Sequence, residues 1–209
     1  MANPEHLAIL EQGVEEWKKW RLELRREGKH DLTPDLRGAY LERALLSQAE
    51  LGGVDLRGAA LQDSDLRKAE LYWSNLSGAV LQGANLVGAN LVRAVFNHAY
   101  LEKANLSATD LGASSLVEAD LHNVNLSGAS LNGTDFAGAE LGGTVFANVD
   151  LSAAQGLENA VHAWPSTVGI DTIYKSKGKI PEVLVVGQSR FPQASGQRES
   201  DVPNARAGV

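Results

Sequence analysis

The sequence predicts an all-β solenoid, and three regularities carry the prediction. Every fifth residue from Leu36 to Leu151 is Leu or Phe, twenty-four positions without a break in phase. Two residues before each stands Ala, Ser, Thr or Val, with Pro34 in the first repeat alone. One and two residues after each, pairs such as Arg-Gly, Ser-Gly, Gln-Gly, Gly-Gly and Asn-Gly recur.

A period of five fits no ordinary element. A helix repeats its apolar face every 3.6 residues and a strand every second residue. In a helix, positions five apart turn by about 500° and spiral over every face. A plain strand sends alternate leucines to opposite faces. Repetition of this kind fixes the architecture before any local assignment is made.

The solution is a coil whose sides are each one repeat long. With the large residue at position i and the small one at i−2, both point inward when i−1 points outward. Positions i+1 and i+2 turn the corner, where glycine tolerates the geometry. The core column then includes Leu56, Leu76, Phe96, Leu116 and Phe136, with Phe146 on another side.

The repeats Ala84-Asn85-Leu86-Val87-Gly88, Ala89-Asn90-Leu91-Val92-Arg93 and Ala119-Asp120-Leu121-His122-Asn123 resemble the A(D/N)LXX pattern of the bacterial pentapeptide-repeat family. The resemblance implies a right-handed, quadrilateral β-helix with four repeats per coil, hence about six coils. At a spacing of ~4.8 Å the rod is about 29 Å long. Stability comes from stacking of neighbouring coils.

The flanks divide the remainder into an N-terminal amphipathic capping helix within residues 1–30, the repeats over 35–152, a C-terminal capping segment over 153–191 and a disordered tail over 192–209. Asn3-Pro4-Glu5 is a helix start, with Asn as cap, Pro in the first turn and an acid at the positive end. Leu7, Leu10, Val14, Trp17 and Leu24 follow on one face up to a stop at Gly28, so a single helix is expected over Pro4–Glu27. The beat fails at Gly156. The apolar residues beyond it, Ala160, Val161, Trp164, Val168, Ile170, Ile173, Ile180 and the Val183–Val186 run, are expected to be buried as a C-terminal cap. The segment His162–Tyr174 with Ile180-Pro181-Glu182-Val183 is similar to one that follows pentapeptide repeats in bacterial multidomain proteins, often ahead of a TIR-type signalling domain. From Pro192 the composition is rich in Gln, Ser, Gly, Pro and charge, the signature of disorder.

The chain has no cysteine, which excludes disulfide and thiolate chemistry. No run is long and apolar enough for a membrane span, and the charged start lacks a secretory signal; a cytoplasmic protein is expected. The net charge is −7, and between Ala104 and Tyr174 there is no Lys or Arg. That distribution disfavours direct nucleic-acid binding and favours a basic partner or solubility.

Catalytic patterns are missing. His6, His30, His98, His122 and His162 form no HExxH or Cys/His set, and a surface location is expected for them. No nucleophile elbow, phosphate loop or dinucleotide fingerprint occurs. Lys175, Lys177 and Lys179 suit a solvated loop. Neither a metal nor a cofactor is expected.

Residues twenty apart should stack on one side of the rod. One outward stripe reads Glu50, Glu70, Asn90, Asp110, Ser130, Asp150, acidic at four positions. A second contains Asn85, Asn105 and Asn125, suited to amide stacking. A third carries Tyr40, Ala60, Val80 and Tyr100 before turning acidic, and Tyr72 and Trp73 stand at a corner beside the acidic stripe. Outward aromatics are enriched in binding surfaces. The expected function is a non-catalytic scaffold binding another protein, or a second copy as a homodimer, through Tyr40, Val80, Tyr100, Tyr72 and Trp73. The resemblance implies a second possibility, a DNA mimic that binds a basic DNA-binding protein such as a type II topoisomerase and protects gyrase from quinolones or toxins. The C-terminal similarity implies a third, a regulatory module of a TIR-type system.

Overall fold

The computed structural model describes residues 1–29, 32–181 and Leu184. The expected tail and most of the Val183–Val186 run lie outside the described residues. Parallel bridges join residues twenty apart, from Asp35↔Asp55 through Asn85↔Asn105 to Asp120↔Glu140. The sides of the β-helix contact their neighbours at single residues rather than along strands, because each side is only one repeat long.

Four of the five N–H groups of a typical repeat have backbone destinations, and the fifth has a side-chain acceptor where i−1 is Asp or Asn. The i N–H donates to the next coil, as Leu36 N does to Asp55 O at 2.8 Å. The i+2 N–H does the same, Gly58 to Ser77 O at 3.0 Å. The following i−2 N–H closes the corner, Ala59 to Leu56 O at 3.0 Å, and the i−1 N–H reaches back to the previous coil, Ala60 to Ala39 O at 2.9 Å. That leaves the i+1 N–H, which the i−1 side chain takes up: Asn85 Oδ1 accepts from Val87 N at 3.2 Å and Asn105 Oδ1 from Ser107 N at 3.1 Å.

All twenty-four large repeat positions are buried, Leu56, Leu76, Phe96, Leu116, Phe136 and Phe146 with no exposed surface. The small i−2 residues line the same interior, except Ala44, which is half-buried. Thr134 and Thr144 turn their hydroxyls to Leu111 O at 2.8 Å and Leu121 O at 2.9 Å. Every i+2 residue from Gly38 to Asn148 has positive φ. Many are not glycine, among them Arg43, Lys68, Trp73 and Glu118.

The N-terminal flank is two helices, not one: α1 (Pro4–Glu11) and α2 (Val14–Arg26). The break falls at Gln12-Gly13, where Gly13 has φ 115°. The apolar spacing runs across the break and so hides it. Two helices reach two different sides of the first coil. Asn3 N donates to Asp35 O at 2.9 Å, and Asp35 N to His6 Nδ1 at 3.0 Å. From α2, Trp17 Nε1 donates to Glu50 O and Arg21 Nη2 to Gly52 O, both at 2.7 Å. These are the ladder groups that a preceding coil would otherwise engage. Trp17 is fully buried.

Past Leu151 the register drifts. Gly156 occupies the buried large-residue position with φ 73°, and a Cβ there would stand 2.4 Å from Ala137 N. Leu157, in a 3-10 turn over Leu157–Asn159, is buried instead. β1 (Glu140–Leu141) pairs with β3 (Val161–His162), and β2 (Val145–Phe146) with β4 (Thr167–Val168). The partners Glu140 and Val161 lie 161 − 140 = 21 residues apart, and Val145 and Thr167 lie 167 − 145 = 22 apart. Helix α3 (Ile170–Lys175) follows. Its buried Thr172 Oγ1 donates to Phe146 O at 2.8 Å and accepts from Val149 N at 3.3 Å, and Ser176 Oγ accepts from Leu151 N at 2.9 Å. Among the described helices none is long and apolar enough to cross a membrane.

Candidate interaction surfaces

The outward stripes follow from the twenty-residue register. Bridges link Tyr40 to Ala60, Ala60 to Val80 and Val80 to Tyr100. Tyr40 is 87% exposed and Tyr100 51%, while Val80 between them is half-buried. The next residues in that column are Asp120 and Glu140.

On the acidic stripe, Glu50, Glu70, Asn90, Asp110 and Ser130 are joined in order, but no bridge joins Ser130 to Asp150. There the spacing changes, Gly133 N donating to Ala153 O. Asp150 therefore stands apart from the ladder, its Oδ1 accepting from Ser152 N at 2.8 Å. Glu50 pairs with Arg25, and Glu70 Oε2 accepts from Asn90 Nδ2 at 2.8 Å. Two of the four acids are thus partnered.

The asparagine column forms no amide ladder among the described residues. Asn85, Asn105 and Asn125 each turn Oδ1 to their own corner N–H. That N–H has no other acceptor, so the local bond wins over the stacked one. The aspartates do likewise at Asp35, Asp55, Asp65, Asp110, Asp120, Asp135 and Asp150. Asp35, Asp55 and Asp65 also each hold an arginine two residues on, Arg37, Arg57 and Arg67. The Arg37 hydrogen bond draws the Asp35 carboxyl down to about 2. In the distal half no arginine fills this role, and the negative field concentrates there.

Three histidines, His6, His122 and His162, depart from the expected surface location, His6 half-buried against Trp20; His30 lies outside the described residues. His122 Nδ1 lies 2.6 Å from Asp120 Oδ1, and its ring stacks on Trp164 at 4.6 Å, over Gly142. His162 is half-buried, and burial pushes its pKa below the usual value. His98 is exposed and pairs with Glu118. Some of the C-terminal apolar residues also depart from expectation: Val161, Trp164, Ile170 and Ile173 are exposed, Ile170 at 70%. Ala160, Val168 and Ile180 do pack against the core, and the polar Thr172 and Ser176 are buried there as well, because the last coil presents backbone groups, which need hydrogen bonds more than apolar contact.

Tyr72 and Trp73 occupy the corner between the acidic side and the side of Leu76. The Tyr72 ring lies on Gly52, where a Cβ would come within 2.5 Å of Cζ. Gly52 has no positive φ, so space rather than turn geometry requires glycine there. Trp73 takes φ 59°, is 60% exposed and carries the Arg93 guanidinium over its ring at 4.5 Å. Both aromatics are outward, as the repeat phase predicts, and α2, which lies within the expected Pro4–Glu27 helix, crosses beside them, a placement the repeat does not dictate. The large residue at i+1 with glycine twenty positions earlier is the signal that marks this corner.

Residues 35–71, 74–112 and 114–152 match the family model described as pentapeptide repeats, in 8 copies. The chain belongs to the pentapeptide-repeat family. No curated protein matches it. Among solved structures, this pentapeptide-repeat chain is similar to Rfr23, a pentapeptide repeat protein from the cyanobacterium Cyanothece 51142, with 31% identity over 45% of this chain and 63% of that one, TM-score 0.43. It is also similar to HetL, a pentapeptide repeat protein involved in heterocyst differentiation regulation from the cyanobacterium Nostoc sp. strain PCC 7120, with 29% identity over 65% and 74% of the two chains, TM-score 0.32. A third similarity is to trypsin-treated QnrB1, a plasmid-mediated fluoroquinolone resistance protein, with 20% identity over 55% and 68%, TM-score 0.30.

Proposed function

We propose that this pentapeptide-repeat chain is a non-catalytic scaffold, a rod of about six coils closed at each end, whose outward columns bind another protein. The observation that carries the reading is the register-matched column Tyr40–Ala60–Val80–Tyr100, with both tyrosines exposed on a rigid ladder. Aromatics on a pre-formed surface contribute binding area at small entropic cost. The scaffold reading is tested by native mass and partner retention for the wild type and for a variant with Tyr40 and Tyr100 changed to Ser. A monomer that retains no partner, with no phenotype in the variant, would sink it.

The distal acids support a second reading, DNA mimicry. Asp110, Asp135 and Glu140 have no Lys or Arg partner among the described residues. Against that, the structural use of Oδ1 at the corners accounts for Asp or Asn at i−1 without any partner. A gyrase supercoiling assay with and without quinolone decides the matter; no effect at micromolar protein removes this reading.

A further inference from the structure

We propose that the groove between α2 and the Tyr72–Trp73 corner is a receptor for an acidic, extended segment of a partner protein, anchored by one of its carboxylates. The proposal rests on the scaffold reading and names the partner chemistry of one part of it.

Charge is the first argument. Although the chain carries −7 overall, the groove is lined by Arg21, Arg25 and Lys29 together with Tyr72, Trp73 and Gly52, and no carboxylate lines it among the described residues. Arg25 and Lys29 are partly neutralised from outside, by Glu50 and Glu27. Arg21 has no acidic partner among the described residues. Its Nη2 bonds Gly52 O, its Nε is buried without an acceptor, and burial, with the Arg25 charge second, lowers its pKa. With Nη2 bonded and Nε buried, the Arg21 guanidinium is fixed in place, and its charge adds to those of Arg25 and Lys29 in attracting a carboxylate.

Construction is the second argument. Gly52 leaves the floor open for the Tyr72 ring. The positive φ that Trp73 shares with the other i+2 corner residues turns its indole outward. Arg93 flattens the indole against the rod and leaves it 60% exposed. An aromatic wall beside fixed cations suits an acidic side chain together with the backbone of its segment.

Size is the third. The cavity holds about 270 Å³, below the range of pockets that enclose cofactors and drug-sized ligands, and enough for one anchoring side chain. A long polyanion is disfavoured by the eight acids between Ala104 and Tyr174, a stretch with no Lys or Arg.

The test uses the full chain against an array of short immobilised peptides. One set has Asp or Glu at alternate positions with varied residues between; a matched set has Gln there, and a third has Lys. Glutarate as a free dicarboxylate and a single-stranded oligonucleotide serve as separate competitors. The expected result is retention by the acidic set alone. Trp73→Ala and Arg25→Gln should each weaken it by about tenfold or more with the fold intact by circular dichroism, while Lys103→Gln, an exposed cation outside the groove, leaves it unchanged, and rising salt should weaken it. Equal retention by the Gln set, indifference to Trp73→Ala, or no retention by any acidic peptide overturns the proposal. Stronger binding of glutarate or of the oligonucleotide than of any peptide also overturns it, by assigning the groove to a small acid or to nucleic acid. Because Tyr40 and Tyr100 are untouched, failure here leaves the scaffold test standing, and failure there leaves peptide retention to be read by itself.

Discussion

Where an aspartate or asparagine stands ahead of a corner, it takes up the one corner N–H that the ladder leaves over, and its charge is incidental to that task. Replacing Asn105 by Ala deprives Ser107 N–H of its acceptor. The expected cost is about 0.5–1.5 kcal/mol in urea denaturation. Asn105→Asp should cost much less, since an Oδ1 remains. Equal losses in the two variants would mean that the side chain acts otherwise than as a corner acceptor. The arginines after Asp35, Asp55 and Asp65 then appear as local neutralisers of a charge the turn tolerates.

At the scale of elements, the two flanks engage the open ladder by different means. The N-terminal helices offer an indole and a guanidinium to carbonyls, and α3 with the residue after it offers hydroxyls to amides and a carbonyl. Trp17→Phe retains most of the buried volume but leaves Glu50 O without its donor, so a loss of about 1–3 kcal/mol is expected. Trp17→Ala adds a cavity and should cost about 3–5 kcal/mol. A Trp17→Phe midpoint equal to that of the wild type would mean that the hydrogen bond contributes nothing. The leucine positions were legible because identical repeats share one environment, so the pattern carries its own geometry. The flanks were not. The apolar spacing of Leu7, Leu10, Val14 and Trp17 is continuous, and only the contacts of each helix with a separate side of the first coil explain Gly13. Beyond Gly156, apolar composition pointed to burial of Ile170 and Ile173, whereas the ladder end recruits Thr172 and Ser176. The groove was half legible: Tyr72 and Trp73 stood out, but the cations facing them come from a helix whose path no repeat dictates.

For the whole molecule, acid should act in two windows. Burial lowers the His162 pKa. The folded state therefore binds fewer protons there than the unfolded chain, and that stability is present above the usual histidine value of 6.5 and lost as pH falls below it. Asp35 is drawn from 3.8 to about 2 by Arg37, so its contribution is present above 3.8 and lost as pH falls toward about 2. Thermal stability measured against pH should fall first below 6.5, with hydrogen exchange rising around β3 before the first coil. His162→Gln should remove that first decline. A profile unchanged by the substitution would trace the decline to another group.

The twenty-residue register has one more consequence. Inserting or deleting a whole coil's worth of sequence slides the distal end along the axis by about 4.8 Å and keeps every column in line. A single added repeat instead rotates everything beyond it by a quarter turn. The groove at α2 and the acids beyond Ala104 are therefore set relative to one another like marks on a screw, their angle adjustable in quarter turns by the number of repeats between them. A partner that touches both would sense repeat number as orientation, and would forgive the gain of a coil more readily than the gain of one side.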